Sequence, residues 1–156
     1  MTSSAAATTQ TLSLNASANI RTIAGRRIVT APNLDWHRSV STRLEQLVRL
    51  DPNWNGYGAP PIPLHLAIFA QSLLQSACHP TSPEPQIVPG PNEDIQIEWH
   101  SREYDIELHL IAPFEVSAVR ISGDECEEFN LTNDFTVVGE WLSQMEAAVA
   151  ARAAAA

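Results

Sequence analysis

Four residues stand where their types and spacing could do chemistry: Glu98 and His100 in the run IQIEWH, and Glu107 and His109 in the run YDIELHL. Closing a turn on Arg102-Glu103 sets Glu98 opposite Glu107, His100 opposite Asp105 and Gln96 opposite His109. Two opposed carboxylates with two histidines nearby form the donor set of a metal-dependent enzyme or of an acid/base pair. Like charges directly opposed also cost stability, about 0.2–1 kcal/mol, so a neighbour should relieve them.

The elements that position these residues follow from alternation. Ile95, Ile97 and Trp99 alternate with Gln96, Glu98 and His100; Ile106, Leu108 and Leu110 alternate with Asp105, Glu107 and His109. Strict period-2 patterning in neighbouring runs predicts two strands, each with a buried and a wet face. The register pairs Trp99 with Ile106, Ile97 with Leu108 and Ile95 with Leu110, because a one-residue slip would drive carboxylates into the core. For the third strand, VSAVRIS, apolar residues meet apolar residues when Leu108 faces Val119 and Ile106 faces Ile121, with Ser117 opposite Leu110 and a turn around Pro113-Phe114. That register sets Arg120 opposite Glu107 and Ala118 opposite His109; a shift of one would oppose Arg120 to Ile106. A Glu98–Glu107–Arg120 row needs no metal, and exposed pairs of this kind contribute only ~0–1 kcal/mol. The expectation is a scaffold neutralised on its wet side, with no catalytic residues, metal or cofactor.

Charge is unevenly placed along the 156 residues. Residues 1–50 hold six arginines against Asp35 and Glu45, a net of +4, while residues 51–156 hold three arginines against sixteen acids, a net of −13. All nine basic residues are arginine, and the whole chain carries −9. Such asymmetry bears on partners and solubility, not on fold. No run approaches the ~20 apolar residues of a membrane span, and no signal-peptide core is present. Cys78 and Cys126 lack the spacing of a zinc site, so two free thiols in a reducing, cytoplasmic compartment are expected.

Taken in order, residues 1–33 read as a flexible basic arm, rich in Ser, Thr and Ala and carrying Arg21, Arg26 and Arg27. Residues 20–31 either form a short strand or stay mobile. Without acids, this stretch also has the composition of an organelle transit peptide. A single domain is expected over 34–150, followed by an Ala-rich tail, 151–156, that continues the last helix or frays. Asp35 can cap a helix reaching about Leu50, with Trp36, Val40, Leu44, Leu47 and Val48 on one face. Pro63 suits the first turn of a helix over Leu64–Cys78. Gln86–Pro89 offers an edge strand, and residues 126–131 (CEEFNL) a further one with Cys126, Glu128 and Asn130 on one side. Thr132 or Asn133 can cap a final helix from Asp134 to about Val149. The predicted fold is α+β: an antiparallel meander of three to five strands covered on one face by about three helices, in the order α-α-β-β-β-β-α.

Between the first two helices lies LDPNWNGYGAPPIP. Gly56 and Gly58 permit backbone shapes other residues avoid, and three prolines stiffen the exit. Trp54 and Tyr57 are too large to leave loose in such a loop; they either pin it to the sheet or helices, or form an aromatic-and-glycine binding surface. The W-x-G-Y-G-A loop, one helix and a strand of the form I/V-Q-x-E-W resemble a group of small uncharacterised prokaryotic proteins over roughly residues 44–112. The resemblance implies a gene of the kind found beside bacterial defence or toxin–antitoxin systems, and no activity.

The sequence therefore points to a non-enzymatic acidic interaction module that binds and regulates a basic partner protein. Its expected contacts are Trp54, Gly56, Tyr57 and Gly58, together with the acid cluster Asp124, Glu125, Glu127 and Glu128. That cluster can equally serve to deter edge-to-edge strand pairing. The alternatives are a nucleic-acid accessory protein using Arg21, Arg26 and Arg27, disfavoured by the overall charge, or a metal-dependent enzyme using the Glu/His strand face. Self-association is left open.

Overall fold

The computed structural model describes residues 36–156 in full, together with the backbone of two strands, β1 (Asn19–Ile23) and β2 (Arg26–Thr30). These two pair as an antiparallel ribbon, with Arg21 opposite Ile28, Thr22 opposite Arg27 and Ile23 opposite Arg26. The rest of the expected arm, and Asp35 as a cap, lie outside the described residues.

Two helices come next, α1 (His37–Val48) and α2 (Leu64–Ala77). Five strands follow: β3 (Gln86–Pro89), β4 (Ile95–His100), β5 (Tyr104–Ala112), β6 (Glu115–Ser122) and β7 (Glu125–Leu131). Helix α3 (Thr136–Ala154) closes the chain. The five strands form one antiparallel sheet in sequence order, an α+β meander. A single core unites Val40, Leu44 and Leu47 of α1, Leu66, Leu73 and Leu74 of α2, and Val138, Leu142 and Met145 of α3 with the inward residues of β3 to β6.

The β4–β5 register is the expected one: Ile95 faces Leu110, Ile97 faces Leu108 and Trp99 faces Ile106, all buried. Indole N–H groups tie the layers to the loops that wrap them. Trp36 donates to the His79 carbonyl at 3.0 Å and Trp99 to the Pro83 carbonyl at 2.9 Å, so burying these large rings leaves no stranded donor. Gly139 lets α3 approach closely, since a Cβ there would sit 2.8 Å from the Ala77 carbonyl oxygen of α2.

The β5–β6 register differs from the sequence expectation by one residue. Ala112 pairs with Glu115 across the Pro113-Phe114 turn, but the next pair is Leu110 with Val116, leaving Ile111 as an extra residue in a bulge. Such an insertion reverses which parity of the following strand faces inward. Leu108 therefore faces Ala118 and Ile106 faces Arg120, while Glu107 faces Val119 and His109 faces Ser117. Val116, Ala118 and Arg120 point to the helices; Ile121 is 43% exposed on the other side.

The start of α3 also differs from the expectation, whereas its end follows one of the two courses open to the tail. Neither Thr132 nor Asn133 caps α3; the Asp134 carboxylate accepts from the Thr136 N–H at 3.0 Å and from its hydroxyl at 2.6 Å. The Ala-rich tail continues the helix to Ala154, and Arg152 reaches Glu103 at 3.0 Å.

Candidate functional site

The loop between α1 and α2 is held by a dense set of hydrogen bonds. Its two ends are tied together: Asn53 N–H donates to the Ala59 carbonyl at 2.7 Å, and Ile62 N–H reaches back to Leu47 at 3.3 Å. Two asparagine side chains then organise the tip. The Asn53 carboxamide oxygen accepts from Gly58 N–H at 2.6 Å; that of Asn55 accepts from Tyr57 N–H at 2.8 Å and Ala59 N–H at 3.2 Å. This is how short polar side chains stand in for backbone partners in turns. Gly56 and Gly58 take φ of 77° and 88°, a left-handed region that a Cβ makes costly.

Within that frame the two aromatic residues part company. Trp54 is half-buried, and its indole N–H donates to the Pro60 carbonyl at 2.9 Å, which pins it to its own loop. Tyr57 is not pinned: it is 93% exposed. Of the two courses open to these rings, Trp54 takes neither the sheet nor the helices as anchor but its own loop, and Tyr57 stands on the surface. The Tyr57 backbone N–H is bonded to Asn55, and a left-handed glycine stands on either side.

The sheet face turned away from the helices carries the Glu/His constellation. Glu98 and Glu107 do stand opposite each other. Arg120 does not join them, because the bulge at Ile111 places it on the helix side. Instead His100 lies between two carboxylates, with Nε2 3.1 Å from Glu98 Oε2 and Nδ1 3.0 Å from Asp105 Oδ1. The hydrogen bonds to Asp105 and then to Glu98 raise the imidazole above its ordinary range. His109 pairs elsewhere, with Asp94 at 2.6 Å. Burial works to raise the Asp94 carboxyl, but the His109 hydrogen bond and backbone donors outweigh it and hold the group below the usual carboxylate range. Glu98 and His100 thus belong to one His–carboxylate set with Asp105, His109 to another with Asp94, and Glu107 joins neither. Among the described residues no group of three or more His, Cys, Asp or Glu side chains is arranged to hold a metal ion.

Arg120 sits at the other face in a cluster that the sequence did not suggest. It is 7% exposed and lies 5.9 Å from the Tyr104 ring centre and 6.0 Å from that of Trp141. Its guanidinium donates to Gln144 and pairs with Glu127 at 3.2 Å and Glu125 at 3.6 Å. Glu127 also accepts from the Trp141 indole at 2.9 Å. The expected acid patch is therefore divided. Glu125 and Glu127 face α3 and engage Arg120, Glu128 stands on the opposite face beside Val119, and Asp124 lies in the β6–β7 turn.

One further polar cluster is buried between α1 and α2, and its central residue had no role in the sequence reading. His37 is fully buried; its Nε2 lies 3.0 Å from Gln75 Nε2 and its Nδ1 3.4 Å from Ser41 Oγ, while Gln71 Nε2 donates to Ser41 at 3.1 Å. The available signal was a histidine one residue inside an apolar helix start, with glutamines on the facing helix. It is enclosed, and serves packing specificity between the helices.

Compared with known proteins, the chain matches no family model, no curated protein and no solved structure. Among the described residues no helix is long and apolar enough to cross a membrane.

Proposed function

We propose that this chain is a non-enzymatic interaction module that binds and regulates a basic partner protein, with the Trp54–Ala59 loop as its primary contact. The observation that carries this reading is Tyr57, 93% exposed on a backbone whose turns are already closed by Asn53 and Asn55. A large aromatic on a fixed backbone loses little backbone entropy on docking, and tyrosine is among the residues that dominate interface energetics. The −13 net charge of residues 51–156 supports a basic partner. The motif resemblance is what supports a setting in a bacterial defence, toxin–antitoxin or mobile-element system.

The test is site-specific photo-crosslinking in the source cell, with a benzophenone amino acid at position 57 and, separately, at the exposed Ser72 of α2. A discrete adduct formed from position 57 and not from 72, lost when Asn53→Ala loosens the loop, supports the reading. Equal labelling from both positions, or none from 57, removes the loop as the contact.

A further inference from the structure

The two edges of the sheet are finished differently. Edge strand β3 has four residues; Pro89 lacks an N–H, and the Ile87 carbonyl already accepts from Arg43 Nε at 2.9 Å. Edge strand β7 has seven residues, Glu125–Leu131, with no proline, and all but Leu131 are exposed. Among the described residues no side chain donates to or accepts from its backbone. In an antiparallel pair, alternate residues turn their N–H and C=O away from the partner strand, so β7 presents an open ladder whereas β3 does not.

Unprotected edges recruit further strands, and their side chains decide which. On β7 the carboxylates stand on both faces: Glu125 and Glu127 toward α3, Glu128 toward the open side. A second copy of β7 would bring like charges together. An extended basic segment would instead find a carboxylate on either face and Phe129, 45% exposed, as an apolar neighbour.

We infer that β7 is a docking edge that accepts an extended, arginine- or lysine-bearing segment of a partner protein as a sixth strand of the sheet. The inference rests on reading the domain as an interaction module, but it concerns a surface separate from the Tyr57 loop, so either can fail alone.

The probe is a blocked peptide alternating arginine and valine over the length of β7, compared with the same peptide methylated at every backbone nitrogen. The readout is amide hydrogen exchange across residues 125–131 of the full chain. In the free protein one parity of β7 amides should exchange openly while the other is protected by β6. Peptide at about ten times its Kd should slow the open parity by about tenfold. The methylated peptide, equal in charge, should leave it unchanged. Glu128→Gln, which leaves both carboxylate partners of Arg120 in place, should weaken binding by several-fold through loss of charge complementarity, with the fold retained. Four results overturn the inference: no binding at low salt, binding without slowed exchange, equal effects from the methylated peptide, or a dimer in sedimentation whose β7 amides are already protected without peptide.

Discussion

Arg120 provides the sharpest quantitative test of the fold, because its worth depends on which face of the sheet it occupies. Opposite Glu107 on the open face it would form a solvated pair, and Arg120→Ala would cost ~0–1 kcal/mol. In its observed place the side chain is 9% exposed, stacked near Tyr104 and Trp141 and bonded to Gln144 and Glu127. Each ring contact contributes about 0.5–1 kcal/mol, and hydrogen bonds involving charged groups about 1.5–3 kcal/mol. Against these stand desolvation of the guanidinium, its Nε, buried with no acceptor, and screening of Glu127, whose side chain is 44% exposed. The balance, with the void left by truncation, is a loss of roughly 2–4 kcal/mol for Arg120→Ala. At about 2–4 °C per kcal/mol for a chain of this size, Tm should fall by roughly 5–15 °C. Arg120→Met, which refills the volume but leaves Glu127 without its cation, should cost less than Arg120→Ala, because Glu127, 44% exposed, can turn to water.

Urea denaturation of a double-mutant cycle locates the partner. Arg120→Ala should couple to Glu127→Gln by about 0.5 kcal/mol or more, and to Glu107→Gln by nothing measurable. Coupling to Glu107 in place of Glu127, or a loss under about 0.5 kcal/mol for Arg120→Ala, would refute the register and with it the assignment of the two faces.

Further outcomes follow from the same geometry. Deleting Ile111 should regularise the β5–β6 hairpin, since Leu110–Val116 and Ala112–Glu115 then become successive pairs; the urea midpoint should move by no more than about 1 kcal/mol equivalent, whereas deleting Ser117 should flip the rest of β6 and abolish cooperative unfolding. The His100 imidazole, raised by Asp105 and Glu98, should titrate by NMR above the free-histidine value. Its stabilisation is complete below the unfolded pKa of about 6.5 and is lost as pH rises through the higher folded value, so Tm should decline from pH 6 to 8 and that slope should shrink in His100→Gln. Burial, and then the Glu146 carboxylate, push the Cys78 thiol up to about 12, while Cys126 is exposed; a thiol reagent at pH 8 should modify one cysteine in the folded protein and the second only on unfolding.

The residues that made β4 and β5 legible explain why β6 was not. In β4, and in β5 as far as Leu110, only one parity is apolar, so register, core and wet face follow together. In β6 both parities carry aliphatics, Val116 and Ala118 on one side and Val119 and Ile121 on the other, and the choice between them fell on Arg120. Excluding arginine from the core was sound as a rule about isolated charge, but a long side chain at the end of a strand can reach acceptors on β7 and α3. The bulge that decides the matter falls where the alternation of β5 breaks, at Leu110-Ile111-Ala112, beside a turn that alone could account for the break. For Tyr57 ring size left pinning and exposure both open, because the outcome depends on which carboxamide closes which turn. His37 became a core residue through Gln71 and Gln75, some thirty-four and thirty-eight positions away, beyond the reach of any local pattern.

Moving Arg120 to the helix side changes what the open face offers a partner. Glu98 and Asp105 are both engaged by His100, and Arg102 lies beside Asp105, but Glu107 and Glu128 stand exposed on this face. Glu125 and Glu127 meanwhile share Arg120, so the acid run after the β6–β7 turn is weaker on the α3 side than its sequence suggests. Negative potential is thus concentrated on the open face and along the β7 edge, where a basic strand would be flanked by carboxylates on both sides. Tyr57 is carried by the separate loop between α1 and α2, and its backbone is fixed before any partner arrives. A partner that engaged both regions would gain from effective concentration what neither contact supplies alone. On that basis Tyr57→Ala and neutralisation of the β7 carboxylates should each weaken binding of the full partner by more than they weaken binding of an isolated fragment of it.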